Sequence, residues 1–169
     1  FDCLFTGETN PQVDTRLAEA CSRACPVVFA SNVVYRGSTK KDDSGNTYYD
    51  TWNVDMVEEP YEALNQVSLS GYTNAYVAAD GCIRYTKLFE DYNGGTDSFA
   101  WKIYEIYENF HGRKPVVPEM NDAGQLNFFY SGQVGEYSHV SLKSVLDGTI
   151  PVKEFKDCIV LVGAYAPGF

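Results

Sequence analysis

The chain has 169 residues and carries 13 lysines and arginines against 23 aspartates and glutamates, a formal net charge of −10. That charge repels phosphate backbones and anionic lipid heads, so nucleic acid is not expected as a partner. A chain of this length can bury about 70% of its unfolded surface, so no metal or disulfide is required to hold its core.

No run of 18 apolar residues occurs, so nothing in the sequence reads as a bilayer span. The 13 tyrosines and 10 phenylalanines predict many rings that are packed while their hydroxyls meet a polar edge. Cys3, Cys21, Cys25, Cys82 and Cys158 form no Cys-x-x-Cys pair and no Cys/His cluster. They read as structural or incidental, and their disulfide state is left open. Cys158 reads as a small buried hydrophobe in an apolar strand.

In chain order, Asp14 to Ala24 predicts a short helix, with Asp14 as N-cap, Leu17, Ala20, Cys21 and Ala24 at helical spacing, and Pro26 as the stop. Val27 to Ala30 predicts a buried strand. Val33–Tyr35 and Thr47–Tyr49 predict two arms of a polar hairpin around the turn material Lys40–Asn46. Glu58–Pro60 is a connector, and 63–69 fits either a short helix or an irregular crossing. Tyr72–Ala78 and Ile83–Phe89 predict two strands around Asp80-Gly81, because glycine accepts the positive φ of a tight turn.

Ser98 to Phe110 is the clearest helix. Phe99, Ile103, Ile106, Tyr107 and Phe110 form its predicted apolar face, Asp97 or Ser98 its cap, and Gly112 its end. Leu126–Tyr130 predicts a strand. Ser141–Leu146 predicts a short helix ending at Gly148. Ile159–Val162 predicts a strand buried on both faces. Strands alternating with helices predict an α/β fold. The expected architecture is a layered α/β/α sandwich with a mixed, mostly parallel sheet and a protruding β-hairpin.

Several pieces, taken in order, resemble the second type of CHASE domain. They are Phe1–Phe5, Asp14 with Leu17-Ala18, Val27–Ala30, Gly71–Asn74, Asp80–Arg84, Ser98–Ala100, Leu126–Tyr130, Ser144–Gly148 and the closing run Phe155–Gly168. The resemblance covers the whole chain. It implies a non-catalytic extracytoplasmic sensor of a membrane-bound cyclase, histidine kinase or serine/threonine kinase, tethered through flanking segments outside this chain. It also implies an unidentified small-molecule ligand and a possible homodimer. Relatives often carry an acid two positions before the turn aspartate, where this chain has Ala78. They also carry an earlier strand and helix, so the stretch 1–169 reads as one sensor domain lacking those elements.

No Gly-x-Ser-x-Gly elbow and no phosphate loop is present, and no cofactor is expected. His111 sits where a cation favours a helix C-terminus, and His139 lies beside serines. Asp42-Asp43 and Glu58-Glu59 are expected to face solvent. The stretch after Glu90 begins like a calcium loop with Asp91 and Asn93. It then departs, with Gly95 where a ligand belongs and Lys102 in place of the closing glutamate. The candidate site residues are Asn74, Asp80 and Arg84, which either set a turn or form the rim of a ligand pocket with Tyr130 and Tyr165. The rival functions are an exported hydrolase and a non-catalytic adhesion or interaction module.

Overall fold

The computed structural model describes residues 1–23, 25–78, 80–133 and 135–164, and for 48–52 the backbone alone. Its centre is a long strand, β1 (Val28–Lys41). The first four residues of β1 are buried, and from Arg36 on it is largely exposed. The two strands expected at 27–30 and 33–35 are thus one strand with an apolar root and a polar tip. Its tip pairs antiparallel with β2 (Thr47–Glu58), in register from Asn32↔Glu58 to Lys41↔Thr47, with irregularities at Val34/Tyr35 and Ser38/Thr39. Asp42 shapes the intervening turn by accepting from the N–H groups of Ser44 and Asn46.

The root of β1 belongs to a parallel array. It pairs with β3 (Leu69–Tyr72), Val28↔Leu69 through Ser31↔Tyr72. Single parallel bridges extend the array on both sides, Leu4↔Ala30 and Asp2↔Gly163 on one and Tyr72↔Ser98 on the other. The fold is therefore α/β, and β1 alone has one parallel and one antiparallel neighbour, so the sheet is mixed.

Helix α1 (Pro11–Arg23) and the single turn α2 (Glu62–Asn65) cover one face. Ala18, Cys21, Phe29, Tyr61 and Leu64 form the core there, and Phe1 and Phe5 pack onto Phe29 at ring separations of 4.9 and 5.2 Å. The cap of α1 is not Asp14, as expected, but Asn10, whose side chain accepts from the Gln12 and Val13 N–H groups. Asp14 lies inside the helix, buried, and reaches back to the N–H groups of Thr9 and Asn10. It still satisfies orphan donors, but from the opposite side.

The strand expected at 72–78 is split. Tyr72 ends β3, and Tyr76–Val77 form β4, which turns back through Asp80-Gly81 onto β5 (Ile83–Lys87). Gly81 has the positive φ that the turn requires, +82°. The break comes from Asn74. Its carboxamide bonds both the N–H and the C=O of Val33, at 2.8 and 2.9 Å, and so takes the place of a backbone partner. Strands β6 (Phe89–Glu90) and β7 (Thr96–Asp97) form a small ribbon that leads into helix α3 (Phe99–Phe110).

Ser98 caps α3 by accepting from Trp101 N–H. Gly112 ends it, with Gly112 N–H on Asn109 O and Arg113 N–H on Glu108 O, the paired bonds of a Schellman motif. The face that packs differs from the expected one. Trp101 is the buried residue, in edge contact with Phe89, while Phe110 is 80% exposed. The expected strand 126–130 is shorter, β8 (Gln125–Asn127), antiparallel to β5, and Phe129 is 97% exposed. Helix α4 (Leu142–Leu146) closes at Gly148 as the sequence predicts, with φ +71°.

The closing run departs most from expectation. Ile159, Val160 and Leu161 are exposed, as is Cys158. Only its end joins the sheet, through Asp2 N–H on Val162 O at 2.8 Å and the bridge to Gly163. The apolar sequence marks a preference for burial, and the expected strand at 159–162, buried on both faces, is not formed. Burial also needs a covering layer, and none of the described helices supplies one there.

Candidate functional site

A groove of about 280 Å³ opens beyond the carboxyl end of β3, lined by Asp2, Tyr72, Thr73, Asn74, Thr86, Phe99 and Ala100. In layered α/β folds this is the end of a parallel sheet at which ligands gather. Four chain segments build it. Asp2 comes from the segment beside β1, Tyr72 to Asn74 from the end of β3, Thr86 from β5, and Phe99 and Ala100 from the first turn of α3. Gly71 allows that turn to approach so closely, because a Cβ there would lie 2.6 Å from both Phe99 N and Phe99 Cα.

The hydroxyl and carboxamide donors of the groove are already engaged with the protein. Tyr72 Oη donates to Lys87 O at 3.0 Å, Thr86 Oγ1 to the same carbonyl at 3.2 Å, and Thr73 Oγ1 to Ser31 O at 3.5 Å. Asn74 Nδ2 donates to Val33 O and to Asn32 Oδ1. Asp2 pairs with no lysine or arginine among the described residues.

A second cluster lies close behind Tyr72. Glu90, buried, accepts on Oε1 from Tyr35 Oη at 2.7 Å, Tyr76 Oη at 2.8 Å and Lys87 Nζ at 3.0 Å. The two hydroxyls are 2.7 Å apart, and Lys87 lies over the Tyr76 ring. Burial pushes the phenols of Tyr35, Tyr72 and Tyr76 well above the ordinary tyrosine range, and the Glu90 charge pushes each of them further.

The predicted site residues fall in two places. Asn74 lines the groove. Asp80, Arg84 and Tyr130 gather on the exposed β4–β5 hairpin and beside it. There Asp80 Oδ1 accepts from Arg84 Nη1 at 2.6 Å and Cys82 N–H at 3.2 Å, and Tyr130 Oη donates to Ile83 O at 3.1 Å. Arg84, then the Cys82 N–H, holds the Asp80 carboxyl below the usual carboxylate range. No hydrogen bond or ion pair joins Asn74 to Asp80 or Arg84 among the described residues. Tyr165 lies outside the described residues. Of the carboxylates expected in solvent, Glu58 accepts from Asn32 Nδ2, and Glu59 keeps a buried oxygen without a partner. His111 Nδ1 meets the Tyr107 carbonyl at the end of α3. Among the described residues no group of three or more histidines, cysteines or carboxylates could hold a metal ion.

The family model of the CHASE2 domain matches residues 1–169, the whole chain. The chain belongs to the CHASE2 family. CHASE2 domains are extracellular sensory domains, which assigns this chain to signal reception. Comparison with curated proteins and with solved structures gives no match. No helix among the described residues of this CHASE2 domain is long and apolar enough to cross a membrane.

Sequence reading missed Asp2 and the whole Tyr35–Tyr76–Lys87–Glu90 cluster. Asp2 gave no signal, because its role depends on a parallel bridge to residues far along the chain. Lys87 and Glu90 at a spacing of three were a faint signal, since a cation and an anion so placed around a strand break can share partners.

Proposed function

We propose that this chain is the input domain of a transmembrane signalling protein, and that its ligand is a small molecule held in the groove between Asp2, Tyr72–Asn74, Thr86 and the first turn of α3. The observation that carries this reading is the double role of Asp2. Its side chain lines the groove, and its backbone N–H holds Val162 of the closing run. A ligand that prefers one position of Asp2 therefore prefers one position of the closing run, which is the differential affinity a sensor needs. Flanking membrane segments would carry that preference to a cytoplasmic cyclase or kinase. In the same reading the helices layer the sheet on both faces, and the β1–β2 ribbon projects from it. Asp80 and Arg84 then set the shape of their turn, while Asn74 is part of the site.

A thermal-shift screen of the protein against small polar metabolites tests the reading. A compound that raises the melting temperature, and loses that effect when Thr73→Phe fills the groove, supports it. A stabilising compound indifferent to Thr73→Phe overturns it. A second reading, an interaction module, is favoured by the exposed apolar residues Leu142, Leu146, Val152 and Ile159–Leu161. Sedimentation of wild type against Leu142→Glu/Leu146→Glu separates the two, because only an interaction surface would lose an assembly in the variant.

A further inference from the structure

The hydrogen-bond accounting of the groove is lopsided, and its imbalance specifies a ligand. A hydroxyl has one proton to donate and two lone pairs to offer, and a carboxamide nitrogen has two protons. Tyr72, Thr73 and Thr86 each commit their proton to a main-chain carbonyl, and Asn74 commits both amide protons to Val33 O and Asn32 Oδ1. Every side-chain donor that lines the groove is spent. Among the side chains, what remains toward the groove is acceptor capacity, namely the hydroxyl lone pairs and the carboxylate of Asp2.

The charges point the same way. The lysines nearest in sequence to the groove residues are engaged elsewhere, Lys87 with Glu90 and Lys102 with Asp97 and Glu105. The Phe1 ammonium, next to Asp2 and interacting with its charge, spends a proton on Val28 O at 2.7 Å. Asp2 brings a formal negative charge that pairs with no lysine or arginine among the described residues, and Phe99 adds an aromatic residue to the same wall. A group that only donates, carries positive charge and tolerates a ring face is an ammonium.

We infer that the groove binds a small molecule through a primary ammonium group held by Asp2, with the hydroxyl oxygens of Thr73 and Thr86 as further acceptors. This rests on the groove being the ligand site and adds the chemical class. A carboxylate or phosphate ligand would meet Asp2 and find no side-chain donor to accept from.

The probe is putrescine, with its uncharged isostere 1,4-butanediol and the dianion succinate as comparisons, titrated into the ¹⁵N-labelled protein. Putrescine is expected to shift the amides of Thr73, Asn74, Thr86 and Ala100 saturably, with a Kd at least about tenfold below that of butanediol and no saturation by succinate. Asp2→Asn is expected to raise the putrescine Kd at least about tenfold, about 1.4 kcal/mol. Asp2 is exposed, so the variant should leave the remaining amide spectrum unchanged. Equal binding of butanediol and putrescine, an Asp2→Asn variant that binds putrescine as well as wild type, or tighter binding of succinate would each overturn the ammonium assignment. Failure of the ligand class is distinguishable from failure of the site. A neutral or anionic metabolite that shifts these same amides refutes the ammonium class and leaves the groove reading standing, whereas a stabilising compound whose shifts lie elsewhere refutes both.

Discussion

Replacing Gly71 with alanine adds one methyl group at the tightest place in the molecule. The new Cβ would lie 2.6 Å from Phe99 N and Cα and 2.9 Å from Ser98 C. All three are backbone atoms, at the joint where Ser98 both bridges to Tyr72 and caps α3. No rotamer change can relieve such a clash. Either β3 or the start of α3 must move by most of an ångström. Inserting a methyl group into a well-packed region costs about 1–3 kcal/mol, and a backbone clash belongs at the upper end. For a chain of this size, about 1 kcal/mol shifts the melting temperature by about 2–4 °C, so Gly71→Ala should lower it by about 5–10 °C. The control is Gly7→Ala, where nothing lies within 4 Å and the backbone is unstrained, and the change should stay within about 0.5 kcal/mol. Circular dichroism melts and urea titrations of both variants provide the comparison. A Gly71→Ala protein that melts within about 2 °C of wild type would refute the close approach, and with it the placing of Phe99 and Ala100 as walls of the groove.

Glu90→Ala should cost about 3 kcal/mol in urea unfolding, because two half-buried phenols and Lys87 lose their shared acceptor, and Glu90→Gln should cost less because one acceptor oxygen remains. The raised phenols of Tyr35, Tyr72 and Tyr76 give a sign in alkali. Their protonated forms are favoured in the folded state, so stability is full below the ordinary tyrosine value of 10 and falls as the pH rises above it. Tyrosinate absorbance should show these three ionising only with unfolding, and early titration of all tyrosines would contradict their burial. Carbon-13 NMR should find the Asp80 carboxyl titrating below the ordinary aspartate range and returning toward it in Arg84→Ala; an unchanged midpoint in the variant would remove the ion pair as cause. Thiol reagents should modify exposed Cys25, Cys82 and Cys158 in the native protein and reach buried Cys21 only on unfolding, with burial also raising the Cys21 thiol.

Local chemistry was the part of the fold legible in the sequence. Gly81, Gly112 and Gly148 end or turn their elements where expected, because a positive φ is a demand that one residue type announces. Helix α3 was legible in extent but not in orientation. Its apolar residues are spread around the helix, and periodicity alone did not select Trp101 over Phe110 as the residue to bury. The strand at 72–78 was misjudged because Asn74 imitates a backbone partner, and β-propensity carries no record of a side chain doing so. The apolar run at 159–162 shows the converse limit, since hydrophobicity states a preference for burial and not what provides it. The groove was legible only at Asn74. Asp2 and Thr86 meet there through pairings between segments remote in sequence, which no local pattern encodes.

The Glu90 carboxylate has a consequence for how the domain comes apart. Tyr35 lies on β1, Tyr76 on β4, Lys87 on β5 and Glu90 on β6, and these strands belong to three separately hydrogen-bonded sheets. Backbone pairing alone would let each sheet open on its own schedule. A single Glu90 oxygen that accepts from Tyr35 of one neighbouring sheet, and from Tyr76 and Lys87 of the other, couples those openings. Amide exchange in the three sheets should therefore share one protection free energy in the wild type and separate into distinct values in Glu90→Ala. A sensor joined in this way responds as one unit, so a disturbance at any of the three sheets is felt at the other two.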